Sequence, residues 1–145
     1  MFGMSMSIPS VIFVVAAIVF TAAAQSQSPV EQKTFRVVDA TGLLLTRGTE
    51  LSDQELQLIC TATDLRELNL AGCSRLTNAG FSSIFRLKEL ESLNLSRCHR
   101  LTDAVFEDVA KLKNLNCLDI SSTKFNVPEV AAWLKMMPNL KELYL

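Results

Sequence analysis

The sequence has few of the residues from which catalytic and metal sites are built. Its 145 residues include one histidine, one tryptophan and one tyrosine, and the first 30 contain no Lys, Arg, Asp or Glu. No G-x-G-x-x-G, G-x-x-x-x-G-K-[ST] or C-x-x-C pattern occurs, so nothing indicates a dinucleotide site, a phosphate-binding loop or a zinc site. A net charge of −1 gives no global reason to expect nucleic acid as a partner. We therefore expect no cofactor, no metal and no nucleic-acid partner.

The N-terminus accounts for the positive mean hydropathy of +0.26. Residues 8–24 form an apolar run that ends in three alanines and is followed by the polar stretch 25–29. This order favours a signal peptide of residues 1–24, cleaved after Ala24, and therefore a secreted or periplasmic protein. The basic residues that usually precede such a run are missing. An uncleaved membrane anchor and a wrongly assigned chain start remain as alternatives, and the membrane is expected as a partner only through this segment.

The rest of the chain repeats itself with a period of about 25 residues, a length typical of stacked-repeat architectures. The pattern L-x-x-L-x-L-x-x-C-x-x-L begins at Leu65 and Leu90, a degraded copy begins at Leu115, and a partial copy begins at Leu140. The central leucines of the four copies are Leu68, Leu93, Leu118 and Leu143, which are equally spaced. Continuing the same spacing toward the N-terminus aligns Leu43 with Leu68, which predicts a further repeat before the one at Leu65. The predicted repeats are 40–64, 65–89, 90–114, 115–139 and the partial 140–145, with a linker or cap at 25–39.

Each repeat combines two periodicities. The L-x-x-L-x-L half alternates as a strand does, and the second half has apolar residues at helical spacing. Ser52 with Glu55 matches a capping box, while Thr77, Thr102 and Asn126 mark the other expected helix starts. The pattern predicts an α/β fold, a right-handed solenoid with parallel strands on the concave face and helices on the convex face. Phe125 and Trp133 have the spacing of core or end-packing residues.

These repeats resemble the leucine-rich repeat family, and more narrowly its cysteine-containing subtype. The segment LESLNLSRCHRLTDA at residues 90–104 matches that consensus at nearly every defined position. The copy at Leu115, with Thr123 in place of the cysteine, is similar to tandem repeats of exported bacterial proteins. The resemblance implies a non-enzymatic protein-interaction scaffold with a protein partner of unknown identity. The alternative is a cytosolic substrate-recognition module of an F-box type ubiquitin ligase, if the N-terminal segment is not a signal.

Cys98 and His99 are the one neighbouring pair with nucleophilic potential. Cys98 occupies the inward cysteine position of its repeat, as Cys73 does in the repeat before it, and His99 falls in an exposed turn. We therefore interpret the pair as structural and predict no catalytic residues. In an exported protein, Cys73 and Cys98 could also be bridged, so both the reduced and the disulfide state stay open.

Two surfaces are candidates for partner binding. The first is the concave strand face, where residues flanking the central leucines point to solvent: Glu67, Asn69, Ser92, Asn94, Asp119, Glu142 and Tyr144, with Cys117 between them. The second is the edge formed by the turns, which carries Arg47, Arg75, Arg97, His99 and Arg100. Both are weighed against ordinary solvated surface. The repeat pattern stops at Leu145 within a further copy, which favours a piece of a longer array over end-to-end pairing or fraying.

Overall fold

The computed structural model describes the backbone of residues 35–38 and 43–46 and all of residues 51–145. The expected signal peptide, its cleavage position, residue Arg47 and most of the expected linker lie outside the described residues. Within the described part of the chain, no helix is long and apolar enough to cross a membrane.

In these described segments, six short strands form one sheet in the order of the chain. They are β1 (Phe35–Val38), β2 (Leu43–Thr46), β3 (Glu67–Asn69), β4 (Ser92–Asn94), β5 (Cys117–Asp119) and β6 (Glu142–Tyr144). The pair β1 and β2 is antiparallel, and each later strand pairs in parallel with the one before it. Parallel neighbours need a crossover connection, and here each crossover contains one helical segment. The strand-then-helix order predicted for the repeats is present.

The helical segments are shorter than a simple helical pattern suggests. Among the described residues they are α1 (Asp53–Ile59), α2 (Asn78–Phe81), α3 (Phe106–Val109) and α4 (Val127–Leu134). A 3₁₀ turn at Ser82–Arg86 extends α2, and another at Asp103–Val105 precedes α3. The 3₁₀ geometry rises faster per residue than an α-helix and suits short pieces, so it spans the back of a repeat with few residues.

The repeated apolar positions form one continuous core. The central leucines of β3, β4 and β5 are aligned as Cα partners, and Leu68, Leu93 and Leu118 are at most 2% exposed. Leu143 in β6 is half-buried. From the helical halves, Phe81 and Phe106 are fully buried, and the Phe106 ring meets Phe125 edge-on with centroids 4.9 Å apart. Phe125 and Trp133 pack on this core, as their spacing predicted.

The alignment of the first repeat was wrong by one residue at its strand. The structure pairs Leu44, and not Leu43, with Leu68. The helical half keeps the predicted spacing, because Leu51 and Leu56 are buried like their counterparts in the next repeat, Leu76 and Phe81. The connection from strand to helix is therefore one residue shorter in the first repeat than in the second.

Helix starts are joined from one repeat to the next by side chains that the hydrophobic pattern does not reveal. The first three repeats each have an Asp or Asn at the same position, and its Oδ1 accepts a hydrogen bond from a backbone N–H of the following repeat. The three pairs are Thr77 to Asp53 at 2.8 Å, Thr102 to Asn78 at 3.1 Å, and Asn126 to Asp103 at 2.8 Å. We call Asp53, Asn78 and Asp103 the helix-start ladder. These bonds satisfy N–H groups at the helix starts that have no partner within their own helix.

The predicted capping residues lie at helix starts, but not all of them make the expected capping hydrogen bonds. Ser52 caps α1, with the reciprocal bonds to Glu55 that define a capping box. Thr77 and Thr102 stand at helix starts, but neither side chain caps its own helix. The Thr77 hydroxyl instead donates to Oδ2 of Asp53 at 2.6 Å. A threonine that sequence reasoning assigns to its own helix thus ties two repeats together.

Candidate functional site

The strand face presents two polar rows on either side of the buried central leucines. Successive side chains of a strand point to opposite faces, so the residues flanking each leucine face away from the core. Counted along the strands, the first row is Glu67, Ser92, Cys117 and Glu142, and the buried central leucines are the second row. The third row is Asn69, Asn94, Asp119 and Tyr144. Glu67, Glu142 and Tyr144 are exposed, while the others are half-buried. The structure therefore brings all seven predicted residues onto one surface.

The third row has a structural use. Oδ1 of Asn69, Asn94 and Asp119 each accepts a hydrogen bond from the backbone N–H two residues later, at 2.9 Å. Such bonds turn the chain after each strand. The Asn94 amide also donates to Oδ2 of Asp119 at 3.1 Å, which joins two neighbouring repeats. These third-row oxygens accept from backbone N–H groups, whereas the hydrogen bonds of the first row, between Ser92 and Cys117 and between Tyr144 and Glu142, join side chains only.

Negative charge gathers at the β5 and β6 end of the strand face. The Tyr144 hydroxyl donates to Oε2 of Glu142 at 3.1 Å, and this bond raises the pKa of Tyr144. Partial burial is the main cause that raises the pKa of Cys117, with Glu142 and Asp119 adding to it and a hydrogen bond with Ser92 opposing it. Cys117 is therefore held as a neutral thiol, which is a poor nucleophile.

Cys98 and His99 are separated by the direction of their side chains. Cys98 is fully buried and its Sγ donates to the Leu70 carbonyl of the previous repeat at 3.1 Å, whereas His99 is exposed. Burial raises the pKa of the Cys98 thiol to about 12, with a smaller contribution from Cys73 in the same direction. A buried thiol that stays protonated lacks the features of a cysteine nucleophile. Cys73 and Cys98 are both free thiols in the structure.

Polar links also join the repeats at the opposite edge of the sheet, before the strands begin. Arg66 and Glu91, which hold the same position in neighbouring repeats, form an ion pair through Nη1 and Oε1. The Asn114 amide donates to the Lys88 carbonyl at 3.0 Å, and the Asn139 amide repeats this contact with Lys113 at 2.7 Å. These side chains fix the spacing of the repeats.

A cleft of about 690 Å³ opens on the helical side of the sheet. Trp133, Met136 and Ala110 form its apolar part, and the surrounding lysines and glutamates give it mixed charge. The Lys113 ammonium donates to the Ala110 carbonyl at 2.9 Å. Among the residues that the structure describes, no three His, Cys, Asp or Glu side chains form a group able to hold a metal ion.

Solved structures that share this fold include an internalin and a leiomodin domain. An internalin from Listeria monocytogenes, a leucine-rich repeat protein, matches with a TM-score of 0.51 and 20% identity, over 61% of this chain and 24% of the internalin. Leiomodin-1 Actin-Binding Site 2 matches with a TM-score of 0.54 and 20% identity, over 66% of this chain and 64% of that chain. This chain thus covers less than two thirds of either protein. The likeness establishes a leucine-rich-repeat-like fold.

No protein-family model and no curated protein matches the sequence.

Proposed function

We propose that this chain is a non-enzymatic protein-interaction scaffold that is exported from the cell. The polar strand face carries this proposal, because the repeats align eight side chains in two rows over a continuous core. Repeat proteins use such aligned surfaces to contact one partner over a large area. One of the fold neighbours is described as actin-binding site 2 of leiomodin-1, and this supports a protein as the class of partner.

The finer architecture belongs to the same proposal. Parallel strands connected through one helical segment per repeat support a right-handed solenoid, because strand crossovers in one sheet are overwhelmingly right-handed. The strand face is then concave and the helices are convex. The buried thiol that donates to the preceding repeat supports the cysteine-containing subtype. The Thr123 hydroxyl takes the cysteine position one repeat later and donates to the Ile120 carbonyl at 2.6 Å. This bond supports the form of the repeat in which threonine replaces cysteine.

Within the predicted site we place the partner contact chiefly on the first row. The third row already forms turns, so substitutions there would disturb the fold together with any binding. The test uses the full chain as bait with a Glu67→Ala/Ser92→Ala/Glu142→Ala variant beside it. A partner should be retained by the natural chain and lost by the variant. A variant such as Lys88→Gln, on the opposite edge, serves as the matched control and should retain it. Equal retention by all three baits would contradict the strand-face site.

Export is tested by the N-terminal residue of the expressed protein. Cleavage after Ala24 gives Gln25 as the first residue and a secreted or periplasmic protein. An intact residue 1 at the membrane would instead indicate an uncleaved anchor. An intact, cytosolic chain would contradict export and favour the F-box type substrate-recognition module, which needs a cytosolic location.

A further inference from the structure

Positive charge collects at one edge of the sheet, where the strands end. The carboxyl ends of parallel strands meet at the same edge, so the turns after β3, β4 and β5 are neighbours. The turn after β4 carries Arg97 and Arg100, and the turn after β5 carries Lys124; all three are exposed. We call these three residues the basic edge. The exposed His99 lies in the turn after β4, and the exposed Arg75 lies in the turn after β3.

Backbone hydrogen bonds hold these turns in fixed positions. Gly72 N–H donates to the Ser96 carbonyl at 2.8 Å, and Arg97 N–H donates to the Ser121 carbonyl at 3.1 Å. The buried Cys98 thiol anchors the middle turn from below. The basic side chains therefore project from a rigid base, which lowers the conformational cost of binding.

The described part of the chain offers no ion pair to the three residues of the basic edge. The ion pairs that the structure describes lie elsewhere, between Arg66 and Glu91 and around Lys111. The nearby carboxylates already accept hydrogen bonds within the chain. Asp103 accepts from Asn126 N–H, and Asp119 accepts from Ser121 N–H and from the side-chain amide of Asn94. Their charges reduce the local potential but do not neutralise three exposed cations.

Arg97 holds its place against a conformational preference. Its φ is +60°, in the left-handed region, where the equivalent residue one repeat earlier is Gly72 with a φ of +73°. Non-glycine residues are disfavoured there because Cβ crowds the backbone. Residues kept in such conformations are candidates for a functional role. Ser122 shares the conformation, so backbone strain alone does not identify a site. At Arg97 the strain supports a site only together with the positive charge of the side chain.

We propose that the basic edge binds an acidic, extended segment of the protein partner, an inference that rests on the proposed scaffold function. Guanidinium groups form forked hydrogen bonds with carboxylates. Neighbouring strands are about 4.8 Å apart, so the two turns that carry the basic edge are adjacent, and a segment of a few extended residues is long enough to cross both. Single-stranded nucleic acid is less well matched, because it needs aromatic platforms. Phe125, the aromatic residue of these turns, is half-buried against Phe106.

The test measures binding of a fluorescein-labelled decaglutamate peptide to the full chain by fluorescence anisotropy. The variant Arg97→Gly/Arg100→Gln/Lys124→Gln removes the basic edge, and glycine at position 97 keeps the left-handed turn. The control Lys88→Gln/Lys135→Gln/Lys141→Gln removes the same charge from other surfaces. We expect the basic-edge variant to bind about 10-fold more weakly and the control to stay within about 2-fold, with natural-chain binding weakened by salt. Circular dichroism verifies that both variants are folded.

Equal weakening in the two variants would overturn the inference, since binding would then follow net charge alone. Tighter binding of heparin or of single-stranded RNA than of decaglutamate would overturn the choice of an acidic protein segment. The strand-face variant Glu67→Ala/Ser92→Ala/Glu142→Ala separates this inference from the scaffold function, because it should bind decaglutamate like the natural chain. A partner lost by the strand-face variant and retained by the basic-edge variant would refute the basic edge and leave the scaffold function standing.

Discussion

At the scale of single residues, one position in each turn after a strand takes a left-handed backbone conformation. Gly72, Arg97 and Ser122 occupy it in three successive repeats, with φ of +73°, +60° and +55°. Glycine populates this region freely, whereas other residues are strained by roughly 1–2 kcal/mol. The same turn geometry is therefore favourable in one repeat and costly in the next two.

Substitutions at this turn position should change stability in opposite directions. Gly72→Ala should destabilise the chain by about 1 kcal/mol, because its φ is left-handed although a Cβ there would meet no atom within 4 Å. Ser122→Gly should stabilise it by up to about 1 kcal/mol for the converse reason. Urea unfolding of both variants measures these changes. A Gly72→Ala variant as stable as the natural chain would show that the turn relaxes without cost.

The buried thiols should make stability fall in alkaline solution. Burial raises the pKa of Cys98 and of Cys60 from 9.0 to about 12. The folded state keeps these protons while the unfolded chain loses them near pH 9, so the stability they provide is complete below that pH and lost as the pH rises toward 12. Between about pH 8 and pH 10, unfolding free energy should drop by roughly 2–3 kcal/mol more in the natural chain than in a Cys60→Ala/Cys98→Ala variant. Equal drops would show that the thiols do not contribute.

At the scale of elements, the repeats are held together by polar side chains as well as by leucines. The helix-start ladder, the turn amides of the third row and the asparagines of the opposite edge all recur from one repeat to the next. Gly80 shows how closely the elements fit, because a Cβ at this position would collide with the side chain of Asp53. Only glycine leaves room for Asp53 to reach Thr77.

Removing the first member of the ladder should uncouple two helix starts. Asp53→Ala leaves the Thr77 N–H and hydroxyl without their acceptor, and should destabilise the chain by about 1–3 kcal/mol. Gln54→Ala is the matched control, since Gln54 lies in the same helical turn outside the ladder and should change stability by less than about 0.5 kcal/mol. Thermal unfolding followed by circular dichroism compares the two. Equal effects would contradict the proposed role of Asp53.

Elements marked by hydrophobic periodicity could be predicted from the sequence, whereas contacts made by polar side chains were missed. The central leucines Leu68, Leu93 and Leu118 were predictable because one face of each strand must be buried. The first strand was misaligned because Leu43, Leu44 and Leu45 are consecutive, so a slip of one residue still places a leucine at every expected position. The helix-start ladder was missed because polar residues carry no hydrophobic periodicity, although the regular spacing of Asp53, Asn78 and Asp103 was visible.

At the scale of the whole molecule, stability comes from neighbouring repeats that cover one another. A single strand and helix cannot bury its own leucines, and each repeat depends on the next. Leu93 in the middle of the sheet is 1% exposed and Leu143 in β6 is half-buried, so the same substitution tests both environments. The polar strand face and the basic edge are consequences of this stacking, because single repeats present too few side chains to form either.

A charge placed in the leucine row should disrupt the core in proportion to burial. Leu93→Asp should abolish the cooperative thermal transition, since it removes roughly 1.5–3 kcal/mol of burial and adds a desolvation cost of similar or larger size. Leu143→Asp should lower the melting temperature and leave a cooperative transition. Circular dichroism during heating measures both. A cooperative transition in Leu93→Asp would mean that the leucine row is not the core.

The strand face as the partner-binding site is tested most directly by the affinity of the captured partner, determined by titration calorimetry with the full chain. We expect that Glu67→Ala/Ser92→Ala/Glu142→Ala weakens binding at least about 10-fold while the melting temperature stays nearly unchanged, because the first row makes the partner contacts and its hydrogen bonds join side chains only. Unchanged affinity in a folded variant would contradict the claim that this face is the site of interaction.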